Sequence, residues 1–152
     1  ELIGEAAERI ARRTAAAIVM TGGSEERSIV DACRAPISAP LADMTAALSV
    51  EELAACIDGA ELLLSNNTGP VHIAAALDTP SVVLYARTNP EHTPWRSPSR
   101  VLYFDVPPDE RSRNTLIRYT TPRTSRPMPS VERIVTAALE LLQPEASGVE
   151  AP

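Results

Sequence analysis

The chain has 152 residues, 44% of them hydrophobic, which is enough for one sizeable core, and it contains no apolar run long enough to span a membrane. Its formal net charge is −6, and all 14 basic residues are arginine. Without lysine there is neither a Walker-type phosphate loop nor a Schiff-base nucleophile, and an acidic chain with no basic stripe argues against nucleic acid as a partner.

Residues 2–14 place Leu2, Ile3, Ala6, Ala7, Ile10 and Ala11 at helical spacing against charged neighbours, which predicts a helix lying on a sheet. The continuous apolar run 16–20 then reads as a strand buried on both faces, ending at Thr21-Gly22-Gly23-Ser24. Ser24 is the expected cap of a second helix that carries Glu25 and Glu26 in its first turn and continues through Ile29, Val30 and Cys33. A loop punctuated by Pro36 and Pro40 follows. Ser49-x-x-Glu52 is a capping box for a helix through Leu53, Cys56 and Ile57, with Gly59 as its C-cap. Cys33 and Cys56 lack a Cys-x-x-Cys spacing and are expected to be buried thiols of a reducing cytoplasm, not zinc ligands.

Strands are predicted at about 61–65 and 81–85, flanking a helix over 70–77, and a fourth at 100–105. Alternation of this kind implies βαβ units and a parallel sheet covered on both sides. From Val106 to Ser130 the composition turns to Pro, Arg, Ser and Thr, which predicts a long irregular segment. Its arginines (Arg111, Arg113, Arg118, Arg123, Arg126) belong to a solvated loop or, alternatively, contact an anionic acceptor or a membrane surface. An amphipathic helix over 130–142 closes the domain, taken as 1–143, and 144–152 is expected to be a flexible tail. The chain begins at Glu1 with no leader pattern, so a piece of a longer protein is expected.

Ligands of open parallel sheets bind at the carboxyl ends of the strands, where loops 21–26, 65–72 and 85–95 converge. The middle loop carries the most chemistry. Pro70 suits a first helical position and makes Gly69 the expected N-cap, leaving backbone N–H groups beside Asn67, Thr68 and His72. Such a helix end is a ready phosphate site, with the Thr68 hydroxyl, the Gly69 backbone and the His72 imidazole as donors. Simple helix capping is the competing reading. His92 is expected to be a surface residue. Neither Gly22-Gly23 nor Gly69 belongs to a G-x-G-x-x-G sequence, so NAD is disfavoured and no cofactor is expected.

Asn67-Thr68-Gly69-Pro70-Val71-His72, the Ala-rich stretch after it, Thr79-Pro80, Ser81-Val82-Val83-Leu84-Tyr85 and Thr88-Asn89-Pro90 together resemble the C-terminal half of glycosyltransferase family 9. That family includes the lipopolysaccharide heptosyltransferases. The resemblance runs from the first helix to the last and is tightest over residues 62–95. It implies a Rossmann-like donor-binding domain of a GT-B enzyme, with Thr68, Gly69 and His72 on the diphosphate, Asn67 on the sugar or diphosphate, and Thr88 and Asn89 at the rim. Gly22, Gly23 and Glu26 match the family's Gly-Gly-x-x-Glu turn, whose carboxylate is implied to meet the nucleotide ribose. Complementing a helix dipole is the other role open to Glu26, and Glu25 stands in reserve. Two departures stand out: Ala86-Arg87 precedes Thr88 where many relatives have Gly-Pro, and Asn67 replaces an Asp and cannot act as a base.

The resemblance further implies that the acidic general base sits in an N-terminal acceptor domain absent from this chain. The expected activity is metal-independent transfer of a heptose or related sugar from a nucleotide diphosphate sugar to a cell-envelope glycan or glycolipid. It would take place in the cytoplasm or at the inner face of the membrane, and this chain alone would be inactive. A nucleotide-sugar epimerase of similar two-domain design and a noncatalytic α/β interaction module are the alternatives.

Overall fold

The computed structural model describes residues 1–86, 93–106 and 126–143. In chain order the elements are α1 (Leu2–Thr14), β1 (Ile18–Met20), a single 3-10 turn (Ser24–Glu26), α2 (Arg27–Arg34), β2 (Leu41–Asp43), α3 (Val50–Asp58), β3 (Leu63–Asn66), α4 (Gly69–Ala76), β4 (Ser81–Ala86), β5 (Ser99–Phe104) and α5 (Val131–Leu142). Every strand pairing is parallel. β1 pairs with β2, Ile18 opposite Leu41 and Met20 opposite Asp43, while β3, β4 and β5 form a second sheet in that order.

The apolar run of β4 is explained by its two covered faces. Val82 and Leu84, with Leu102 of β5, pack against Ala6 and Ile10 of α1 and Ile134, Val135 and Ala138 of α5. Strand alternation sends Ser81, Val83 and Tyr85 to the opposite face, the side covered by α4 with its buried Val71 and Ala74. Helix α3 packs on α4, and the buried Thr79 hydroxyl donates to the Ile57 carbonyl at 3.0 Å, tying the α4–β4 connection to the end of α3. The helices therefore cover both faces, as the α/β reading requires.

Two contacts set the position of the β1–β2 unit. Gly4 faces α2 so closely that a Cβ there would lie 1.9 Å from the Cys33 carbonyl oxygen. Glu8, almost fully buried, accepts hydrogen bonds from the Ser38 N–H and hydroxyl, the Ala39 N–H and Arg12, and so fastens the loop before β2 to α1. These donors, the Ser38 hydroxyl foremost, hold its carboxyl down at about 2.

Several local expectations are corrected. Ser24 does not cap a helix; Gly23 precedes a 3-10 turn there, and α2 starts only at Arg27. β2 arises inside the stretch read as loop, because the Pro40 carbonyl accepts from Ile18 N–H at 2.9 Å and starts a ladder that three residues can complete. Gly59 is the C-cap of α3 as expected, in right-handed conformation with φ −80°. Both cysteines are free but only half-buried. Residues 107–125, most of the irregular segment 106–130, and the tail 144–152 lie outside the described residues.

Candidate functional site

Strands β3, β4 and β5 run the same way, so their carboxyl ends form one edge, and α4 begins there. A cleft at this edge is lined by Asn66, Asn67, Leu84, Ala86, Phe104 and Met128. Asn67 is seated by its own N–H, which donates to the Leu84 carbonyl at 3.2 Å. Its Oδ1 is closed off from solvent and accepts no hydrogen bond among the described residues. An acceptor buried this way costs about 1–3 kcal/mol relative to a paired one, a cost that a donor on a ligand would remove by reaching it.

The N-cap of α4 is Thr68, one residue earlier than expected from the proline. Gly69 and Pro70 occupy the first two helical positions, because any N–H in the first turn lacks an acceptor four residues back and Pro is tolerated there as well. The Thr68 side chain does not cap the helix; its hydroxyl makes a long 3.4 Å contact with the Asn66 carbonyl and is exposed. Val71 N–H is taken by the Thr68 carbonyl at 3.1 Å, which removes one of the donors expected to point outward. The Gly69 N–H stays without an acceptor among the described residues, and nothing lies within 4 Å of where a Gly69 side chain would begin. His72 is exposed on the same first turn. Thr68, Gly69 and His72 thus stand together at a helix end that carries partial positive charge.

The second predicted cluster lies at the carboxyl end of β1. Gly23 N–H donates to Glu26 Oε2 at 2.7 Å, so Glu26 already closes its own turn. A Cβ on Gly22 would sit 3.1 Å from Val30 and 3.4 Å from Glu26 Oε2, which explains the small residue at that position. Beyond β2 the ladder continues irregularly: Met44 N–H donates to the Met20 carbonyl and Ala46 N–H to the Gly22 carbonyl, both at 2.8 Å. Asp43 accepts from Thr45 N–H at 3.0 Å and from Arg27 at 2.8 Å. The Thr45 side chain and N–H, with Arg27, hold the Asp43 carboxyl down at about 2. Thr88, Asn89 and His92 lie outside the described residues, as do four of the five arginines of the irregular segment. Arg126 is described, and its backbone pairs with Asp105 just past β5.

Sequence reasoning missed Phe104 and Met128 in the cleft and Asp43 behind the Gly22–Glu26 turn. A signal existed only for Asp43: it lies 20 residues after Gly23, the usual spacing from a glycine turn after one strand to an acid ending the next.

Parallel strands with helices on both faces define an α/β fold, with α4 beginning at the carboxyl edge of the sheet. The chain belongs to glycosyltransferase family 9 (heptosyltransferase), whose profile matches residues 5–117. It is 28% identical over 144 residues to lipopolysaccharide heptosyltransferase 3 of Escherichia coli, covering 86% of this chain and 38% of that protein. A shorter match, 42% over 48 residues, links it to lipopolysaccharide heptosyltransferase 1 of Salmonella typhimurium, covering 32% of this chain and 15% of that protein. Among solved structures, family 9 glycosyl transferase from Veillonella parvula superposes with a TM-score of 0.77 at 23% identity, over 95% of this chain and 41% of that one. Escherichia coli ADP-heptose lps heptosyltransferase II gives 0.67 at 20% identity, over 95% and 42%. The chain therefore spans about two fifths of the length of the relatives it matches most fully.

Proposed function

We propose that this chain is the donor-binding domain of a family 9 glycosyltransferase and holds the diphosphate of a nucleotide sugar at the N-terminus of α4. The observation that carries this reading is the helix end itself: a Gly69 N–H with no acceptor among the described residues, an exposed Thr68 hydroxyl that does not cap the helix, and His72 on the same first turn. In the transfer an acceptor oxygen bonds to the anomeric carbon while the bond from that carbon to the β-phosphate oxygen breaks. Negative charge then grows on the departing diphosphate, where fixed N–H dipoles and the imidazole stabilise it without a metal ion. Asn67 meets the sugar, and Gly22, Gly23 and Glu26 receive the nucleoside. Thr88 and Asn89 form the rim.

Residues 1–143 act as one donor unit in this account, followed by a tail, and the general base and acceptor pocket belong to an N-terminal domain of the same protein. The acceptor is a lipopolysaccharide-like glycan or glycolipid, and the sugar a heptose or a close relative. Since one structural neighbour is named for ADP-heptose, ADP is the first nucleoside diphosphate to try. No helix among the described residues is long and apolar enough to cross a membrane. We place the enzyme in the cytoplasm, in peripheral contact with the inner membrane face. The test is a thermal-shift screen of this chain against nucleotide sugars and their diphosphates. Stabilisation by at least one nucleotide sugar and its diphosphate is expected, and stabilisation by none would remove the donor-binding role.

A further inference from the structure

We infer that Asp43 is the positioning residue for the nucleoside half of the site, an inference that rests on the donor-binding reading above. Asp43 stands opposite Met20 at the carboxyl end of β2, beside the Gly22–Glu26 turn. In doubly wound folds a carboxylate at that place takes the ribose directly. Here both oxygens are already engaged: Oδ1 accepts from Thr45 N–H at 3.0 Å, and Oδ2 lies 2.8 Å from Arg27 and 4.0 Å from Arg34. The side chain is only 16% exposed. It acts through what it holds.

Those contacts close a ring around the glycine turn. At one end the Gly22 carbonyl is fixed by Ala46 N–H, which the turn 43–46 can deliver only with Ala46 in the left-handed region, φ 59°. At the other end Arg27 directly follows Glu26 and is tied back to Asp43. A single carboxylate thus sets both the turn that grips Gly22 and the first residue of α2. Glu26 and the backbone of Gly22 and Gly23 are held between these two points. Removing the carboxylate would free both ends while leaving the α4 helix end untouched.

The test compares two probes, ADP and inorganic pyrophosphate, titrated calorimetrically into the wild-type chain and the variants Asp43→Asn, Asp43→Ala, Asp43→Glu and Arg27→Ala. A charge-assisted pair lost at the nucleoside end should weaken ADP about tenfold in Asp43→Ala. Pyrophosphate, held at the helix end, which shares none of the Asp43 contacts, should stay within about twofold. Asp43→Glu should recover part of the ADP affinity. If Asp43→Ala does not fold, Asp43→Asn and Arg27→Ala, which keep an acceptor for Thr45 N–H, carry the same comparison. Equal weakening of both probes, or no change in either, would overturn the role of Asp43. A wild-type chain that binds neither ADP nor any other nucleoside diphosphate would overturn the donor reading itself, and this inference with it.

Discussion

At Gly69 the structure makes a clean substitution available: the residue has no positive φ, and among the described residues nothing lies within 4 Å of a Cβ placed there. Gly69→Val should therefore leave the unfolding midpoint nearly unchanged while crowding the backbone on which a diphosphate would rest. Titration with ADP and with adenosine is the check, with the loss confined to ADP. His72→Ala should act in the same direction, by about 1–3 kcal/mol if a charge-assisted hydrogen bond is lost. Asn67→Asp is subtler. A carboxylate oxygen in the closed, donor-free position of Oδ1 disfavours ionisation, so the variant should be less stable than wild type at neutral pH and recover on acidification. If Asn67 meets the sugar, the same variant should change preference among nucleotide sugars and leave ADP affinity nearly constant; parallel loss of both would place it against the diphosphate.

Among the elements, the contact of α1 with α2 has no slack. Gly4→Ala should cost about 1–3 kcal/mol, read as a lowered urea midpoint, because its methyl group would collide with a backbone carbonyl that cannot rotate away. Glu8 makes the fold's acid response predictable. Its carboxyl sits at about 2, below the ordinary 4.5, so the unfolded chain takes up the proton first as pH falls. Its contribution is whole above pH 4.5 and is lost as pH drops towards 2, with Asp43 adding to the same decline. Urea midpoints measured across that range should fall steadily, and Glu8→Gln should flatten part of the slope while lowering stability at neutral pH.

These elements also show how far the sequence could be read. The helices α1, α3 and α5 and the strand β4 were legible because each has either a strong apolar period or an unbroken apolar run, with Ser49 marking the start of α3. β2 was not, since Leu41-Ala42-Asp43 has no period of its own and becomes a strand only through its partner Ile18–Met20. The start of α4 was placed one residue late for a related reason: Pro70 reports only that it lies in the first turn, and Thr68 supplies no side-chain cap to mark the boundary. Asn67, Thr68, Gly69 and His72 form one short contiguous signal, legible as the turn after β3 and the first turn of α4. Phe104 and Met128 reach the cleft from opposite sides of the 107–125 segment, and no local pattern joins residues that far apart.

At the scale of the whole molecule, the fold and the family are shown, and the account turns on one claim: this chain alone holds a nucleoside diphosphate through the N-terminus of α4. The two sheets would share the work, the β1–β2 edge taking the nucleoside and the β3–β4–β5 edge the phosphates. Such a division predicts that neither half-ligand binds as well as the whole. The most direct measurement is calorimetric titration of the chain with ADP, adenosine and pyrophosphate, with a chelator present throughout. The account predicts a single site for ADP, tighter than for adenosine or pyrophosphate and unchanged when magnesium replaces the chelator. No binding of ADP or of any other nucleoside diphosphate, or binding that appears only with magnesium, would contradict it.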